Sequence, residues 1–109
     1  MAFDDVLADR VRDVLATTVG VTERKMFGGL AFSIAGNMAC GIVGPDLMLR
    51  LGEGGADEAL DEPHVRPMDF TGRPMRSMVY VAASGITTRD ALETWVLRAV
   101  EFAARLPPK

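Results

Sequence analysis

Apolar positions along the chain repeat in two distinct periods, and the order of those periods outlines a fold. Phe3, Leu7, Val11, Val14 and Leu15 recur at helical spacing, with Asp5, Asp9, Arg12 and Asp13 on the intervening turns. This predicts one amphipathic helix from about Phe3 to about Thr18. Asp4 and Asp5 suit its positive end, and Gly20 is a natural left-handed C-cap. After Gly28-Gly29 the period drops to two. Leu30, Phe32 and Ile34 take one side, with Ala31 and Ser33 on the other. Met38, Cys40 and Ile42 then alternate with Ala39, Gly41 and Val43. Ala35-Gly36-Asn37 joins the two runs as a hairpin turn. Gly44-Pro45-Asp46 is a second turn, and Leu47, Leu49 and Leu51 form a third strand with Met48 and Arg50 on its other face.

Gly52-Glu53-Gly54-Gly55 is expected to end that strand as a surface turn, followed by a short helix from Ala56 to about Glu62 that Pro63 stops. Val65 to Phe70 contains Pro67, which limits it to an edge strand or an extended loop. Thr71-Gly72-Arg73-Pro74 reads as a turn, and Met78 to Ala82 as a strand. Thr87 with Asp90 resembles a capping box at the start of a final helix. Leu92, Trp95, Val96, Ala99, Ala103 and Leu106 form the apolar stripe of that helix, and Glu101 can pair with Arg105. The expected architecture is α+β: a two-layer sandwich, order α-β-β-β-α-β-β-α, with helices packed on a largely antiparallel sheet.

The totals narrow the function classes. At 109 residues the chain is expected to be one domain, residues 1–109, with a real core. A net charge of −3 argues against a free-standing nucleic-acid binder, although a local basic patch would be compatible with it. One cysteine excludes an internal disulfide and a cysteine-rich zinc site. No signal peptide is visible after Met1 and no apolar run reaches the ~18 residues of a membrane helix, so a cytoplasmic location is expected. Only the Pro107-Pro108-Lys109 tail is expected to be disordered.

Chemistry-bearing residues are few. Cys40 with His64 could make a nucleophile and base, but Cys40 falls in step with core positions of a strand and reads as a small hydrophobe. Glu58 and Glu62, four apart, could join His64 in a metal site, but the segment Asp57 to His64 reads as a solvated acidic surface. The glycines at 52–55 do not form a phosphate cradle, because Glu53, Asp57 and Glu58 would repel the anion. No catalytic residue, cofactor or metal is therefore assigned. The cations Arg24, Lys25, Arg50, Arg66, Arg73 and Arg76 are the candidate partner contacts. If Arg50 points away from the helices, several of them share one face, which would suit an anionic partner or a nucleic-acid backbone. Met26, Met48, Met68 and Met75 lie beside loops or opposite apolar rows, so one or two are expected at the surface.

The most unusual local segment is Glu23-Arg24-Lys25-Met26-Phe27-Gly28-Gly29. Two cations precede two permissive glycines between a helix and a hairpin. Arg24 to Gly29 resembles the "RKMFGG" block of the N-terminal domain of the TfoX/Sxy competence regulators. Leu30 to Met38 is similar to the hairpin that follows in that family, with Gly36-Asn37-Met38 as its "G-x-M". Leu47-Met48-Leu49-Arg50 resembles its "LYLK" strand with Arg50 in place of Lys. Pro67-Met68-Asp69-Phe70 and Met78-Val79-Tyr80 resemble its later landmarks. The similarity runs from about Val6 to Leu106.

The resemblance implies an antiparallel five-stranded sheet like that of type III secretion chaperones. It implies a single-domain version without the helical C-terminal domain of full regulators, and it supplies no catalytic residues. It implies a non-enzymatic bacterial module that meets a protein partner in transcription control, and it is compatible with a homodimer. Direct nucleic-acid binding through the cations is the alternative. Within the motif, Phe27 is expected to plug the core at the corner between layers, where Phe27→Ala would cost ~3–5 kcal/mol.

Overall fold

The computed structural model describes residues 3–26, 28–70 and 73–108. Helix α1 (Asp5–Val14) is followed by four strands, β1 (Val21–Met26), β2 (Gly29–Ile34), β3 (Asn37–Val43) and β4 (Asp46–Arg50). Helix α2 (Gly52–Ala59), strands β5 (Val65–Phe70) and β6 (Arg73–Val81), and helix α3 (Arg89–Ala104) complete the order. The six strands form one sheet in the order β1-β2-β3-β4-β6-β5, and every neighbouring pair is antiparallel. The α+β class expected from the periodicity is therefore the class observed.

The sheet has one more strand than expected, and the extra strand is Val21–Met26 itself. Its residues pair with β2 without a break, from Val21↔Ile34 to Met26↔Gly29. Thr, Glu, Arg and Lys in the middle of the segment hide the strand from a hydrophobic-period reading. Such charge is what an edge strand needs, because it discourages pairing with other chains.

Apolar alternation sorts the sheet into two faces. Leu30, Phe32, Ile34, Cys40, Ile42, Leu47, Leu49, Val79 and Val81 join Leu7, Val11, Leu92, Trp95, Val96 and Ala99 of the helices in the main core. The opposite face gathers Met48, Met68 and Met78, with Met38, Val43 and Tyr80 against them. Met48 and Met68 are thus buried; the expectation that one or two of Met26, Met48, Met68 and Met75 reach the surface falls on Met26 and Met75, whose side chains lie outside the described residues. Met38 was expected on the side of Cys40 and Ile42. The register between β2 and β3 slips from Phe32↔Cys40 to Ser33↔Met38, which makes Ala39 an extra residue and turns Met38 to the other face.

Turn chemistry fixes the register of the first strands. Ala35 and Gly36 both have positive φ, 50° and 85°, as a two-residue hairpin turn of the mirror-image type I class requires. Gly28, at φ 74°, lies in the turn between β1 and β2. Gly29 has a different reason to be glycine: a Cβ there would sit 2.3 Å from the carbonyl oxygen of Ile42 on β3. Phe27, expected to plug the core, lies outside the described residues.

Helix boundaries differ from those expected. Helix α1 starts later than Phe3, with Asp4 as its N-cap accepting from Val6 N at 2.9 Å and Leu7 N at 3.2 Å. Helix α2 begins at Gly52, so the four residues expected as a surface turn are its first turn. Tertiary packing overrides their poor helix propensity. A Cβ on Gly52 would lie 2.6 Å from the Phe102 ring of α3, and Gly52 itself has φ 78°. Helix α3 is capped by Thr88, not Thr87, with Oγ1 accepting from Ala91 N at 3.1 Å. The chain is held at Pro107: buried Asn37 donates through Nδ2 to the Pro107 carbonyl at 2.9 Å, while Lys109 lies outside the described residues.

Candidate interaction surface

Strand β1 is an edge, and its geometry follows from one hydrogen bond. Ala35 N donates to Gly20 O at 3.2 Å, which sets the parity of the ladder. Even-numbered residues of β1 therefore turn their backbone groups to β2, and Val21, Glu23 and Lys25 turn theirs away from the sheet. Thr22, Glu23, Arg24 and Lys25 are all exposed.

The two cations of the motif leave on opposite faces. Arg24 stands opposite Ala31, and Lys25 opposite core residue Leu30. Glu23, on the helix side with Lys25, is clamped by Arg12 of α1 through Nε at 2.9 Å and Nη2 at 2.8 Å. Arg12 also bonds Asp9 at 2.8 Å. Hydrogen bonds to Glu23 first and Asp9 second hold the Arg12 pKa above its ordinary value.

The other candidate cations lie elsewhere. Arg66 sits on β5, the far edge of the sheet, about 24 Å from β1 at the usual ~4.8 Å per strand. It bonds Asp46 at 2.5 Å and stacks over Tyr80 with 4.7 Å from Cζ to the ring centroid. The Asp46 bond raises its pKa. Arg50 does not join an outward basic face, because its Cζ lies 5.6 Å from the Phe102 ring centroid on α3. Arg73 opens β6 opposite Phe70, and its side chain lies outside the described residues. Arg76 is exposed and lines a cleft with Glu53 and Asp57. The structure therefore spreads the described cations over both edges and both faces.

That cleft, about 260 Å³ in volume, is a concavity that sequence reasoning missed. Glu53, Asp57 and Leu60 form one wall, Pro67 and Arg76 another, and Met68 and Met78 complete it. The spacing of Glu53 and Asp57 would have revealed a shared helix face, had the helix been started at Gly52 instead of Ala56.

Cys40, His64 and Glu62 do not line this cleft. Cys40 is fully buried in the main core, and desolvation pushes its thiol up to about 12. His64 is exposed, with Nδ1 2.8 Å from Ser84 Oγ. Glu62 is tied to Arg98 of α3 at 2.9 Å. Among the described residues, no three His, Cys, Asp or Glu side chains converge, and no helix is long and apolar enough to cross a membrane.

Comparison with known proteins bears on this geometry. No match was found among curated proteins or among solved structures. The family model described as the TfoX N-terminal domain matches residues 13–103. That span runs from the end of α1 through the whole sheet to the last turn of α3, including the hairpin built on Gly28 and Gly29. The chain belongs to the TfoX N-terminal domain family.

Proposed function

We propose that the protein is a non-enzymatic regulatory domain that works by contact with a protein partner in the bacterial cytoplasm, in transcription control. The family match over residues 13–103 carries this reading. Two features of the structure support it. The edge strand β1 offers the outward backbone groups of Val21, Glu23 and Lys25, and Arg24 and Lys25 flank them on either face. An extended partner segment can add to such an edge through main-chain hydrogen bonds. Cys40, the one thiol, stays protonated and enclosed at neutral pH, which suits packing and not nucleophilic attack.

Purification of the tagged protein at native expression tests the reading. One stoichiometric partner is expected, lost on replacement of Arg24 and Lys25 by glutamate. Recovery of no partner, or of the same partner with both charges reversed, would count against it. A labelled duplex titrated at low salt separates the nucleic-acid alternative. A salt-sensitive shift at micromolar protein would favour that alternative, since phosphate contacts weaken steeply with salt.

A further inference from the structure

We infer that the cleft between α2 and the β5–β6 hairpin is a docking site for a partner segment presenting one apolar side chain flanked by lysine or arginine. This site is separate from the β1 edge and stands or falls independently of it.

The cleft exists because of a defined irregularity. Pairing between β5 and β6 slips from Pro67↔Val79 to Met68↔Met75, which leaves Arg76, Ser77 and Met78 without partners on β5. A bulge of this kind bends its strand and re-aims side chains. Leu51 N donates to the Ser77 carbonyl at 2.8 Å, so the chain entering α2 is fastened to the bulged segment. Helix α2 then divides its surface. Ala56 and Ala59 join the main core, and Glu53, Asp57 and Leu60, at helical spacing, face the cleft.

Its chemistry selects the occupant. Met68 and Met78, each 3% exposed, are continuous with the methionine layer on that face of the sheet. Thioether side chains adapt to apolar shapes without a fixed fit. Leu60 and Pro67 extend the apolar lining and are exposed. A volume of about 260 Å³ falls below the ~300–1,000 Å³ of pockets for drug-sized molecules and suits a single side chain. Two carboxylates, Glu53 and Asp57, and one guanidinium, Arg76, stand at the exposed rim, so among the described residues the charged groups sum to −1. A leucine or methionine between basic residues complements that combination, with the acids meeting the cations and Arg76 meeting a backbone carbonyl.

Methyl NMR on the full chain, labelled at the methionine ε-methyls, tests the assignment. The probe is the peptide Gly-Ser-Lys-Leu-Lys-Ser-Gly, with Glu-Leu-Glu and Lys-Ser-Lys counterparts. Saturable shifts confined to Met68 and Met78 are expected with the first peptide. Affinity is expected to fall about tenfold or more for either counterpart, and for the double variant Glu53→Lys, Asp57→Lys. Both replaced residues are exposed, so circular dichroism and the remaining methyl signals should be unchanged. Three results would overturn the proposal. One is the absence of saturable shifts at Met68 and Met78 up to millimolar peptide. Another is equal affinity for the acidic peptide or by the charge-reversed protein. The third is a shift of the same methyls with protein concentration alone, which would make a second copy the occupant.

Discussion

Replacing Gly29 by alanine puts one methyl group where the β3 backbone already lies. The added Cβ would sit 2.3 Å from Ile42 O and 3.1 Å from Val43 Cγ2. The first of these is main chain in the middle of the sheet and cannot rotate aside as a side-chain tip would. Overpacking of a well-packed site costs about 1–3 kcal/mol, and a backbone clash belongs at the top of that range. Alanine also lowers the entropy of the unfolded chain, which returns about 0.4–1 kcal/mol. The net loss is therefore about 2 kcal/mol. With about 2.1 cal/mol/K of unfolding entropy per residue, that loss lowers Tm by roughly 9 °C for this chain. Urea unfolding followed by Trp95 fluorescence measures the loss, and a thermal melt checks the Tm. A loss below about 0.5 kcal/mol, the scale of an unconstrained surface site, would refute the claim that β3 requires glycine there.

Four further outcomes test other parts of the structure. Gly54→Ala on exposed α2, where a Cβ meets nothing within 4 Å, should instead stabilise by about 0.5–1 kcal/mol in the same assay. Thr88→Ala removes the cap of α3 and should cost about 1 kcal/mol in chemical denaturation. Asn37→Ala releases the Pro107 carbonyl and should cost about 1–2 kcal/mol, with faster amide exchange in the last turn of α3. For Cys40, the folded thiol holds its proton to about 12 and the unfolded thiol loses it near the ordinary 9.0. Between those values the native state binds more protons, so stability falls as pH rises. The fall should be about 1 kcal/mol per pH unit above 9 relative to Cys40→Ala, measured by denaturation at pH 8, 9, 10 and 11.

Periodicity made the main core readable. Leu30, Phe32 and Ile34, the Leu47 and Leu49 row, and the α3 stripe from Leu92 to Ala103 all lie where their spacing put them. The Glu101–Arg105 pair also forms, at 2.9 Å. What escaped reading depends on partners remote in sequence. Nothing local in Val21–Met26 marks a strand, because only pairing with β2 makes it one. The glycines at 52–55 look like a turn until Phe102, fifty residues on, is known to cover Gly52. Ala39 as an extra residue reverses the expected side of Met38, and a bulge has no signature in alternation alone.

The candidate site was harder to read than the fold. Arg24 and Lys25 were singled out as neighbours, yet adjacent strand residues project to opposite faces. Arg50 follows the alternation outward but is drawn to Phe102 at the end of the sheet. The cleft required both the earlier start of α2 and the slip between β5 and β6.

Photocrosslinking in cells that express the protein natively tests partner contact at the β1 edge most directly. A benzophenone side chain at exposed Thr22 on β1 is compared with one at exposed Leu97 on α3. A single discrete adduct is expected from position 22 and not from position 97, and it should disappear when Arg24 is replaced by glutamate. No adduct from position 22, or the same adduct with Arg24→Glu, would contradict a partner bound along β1.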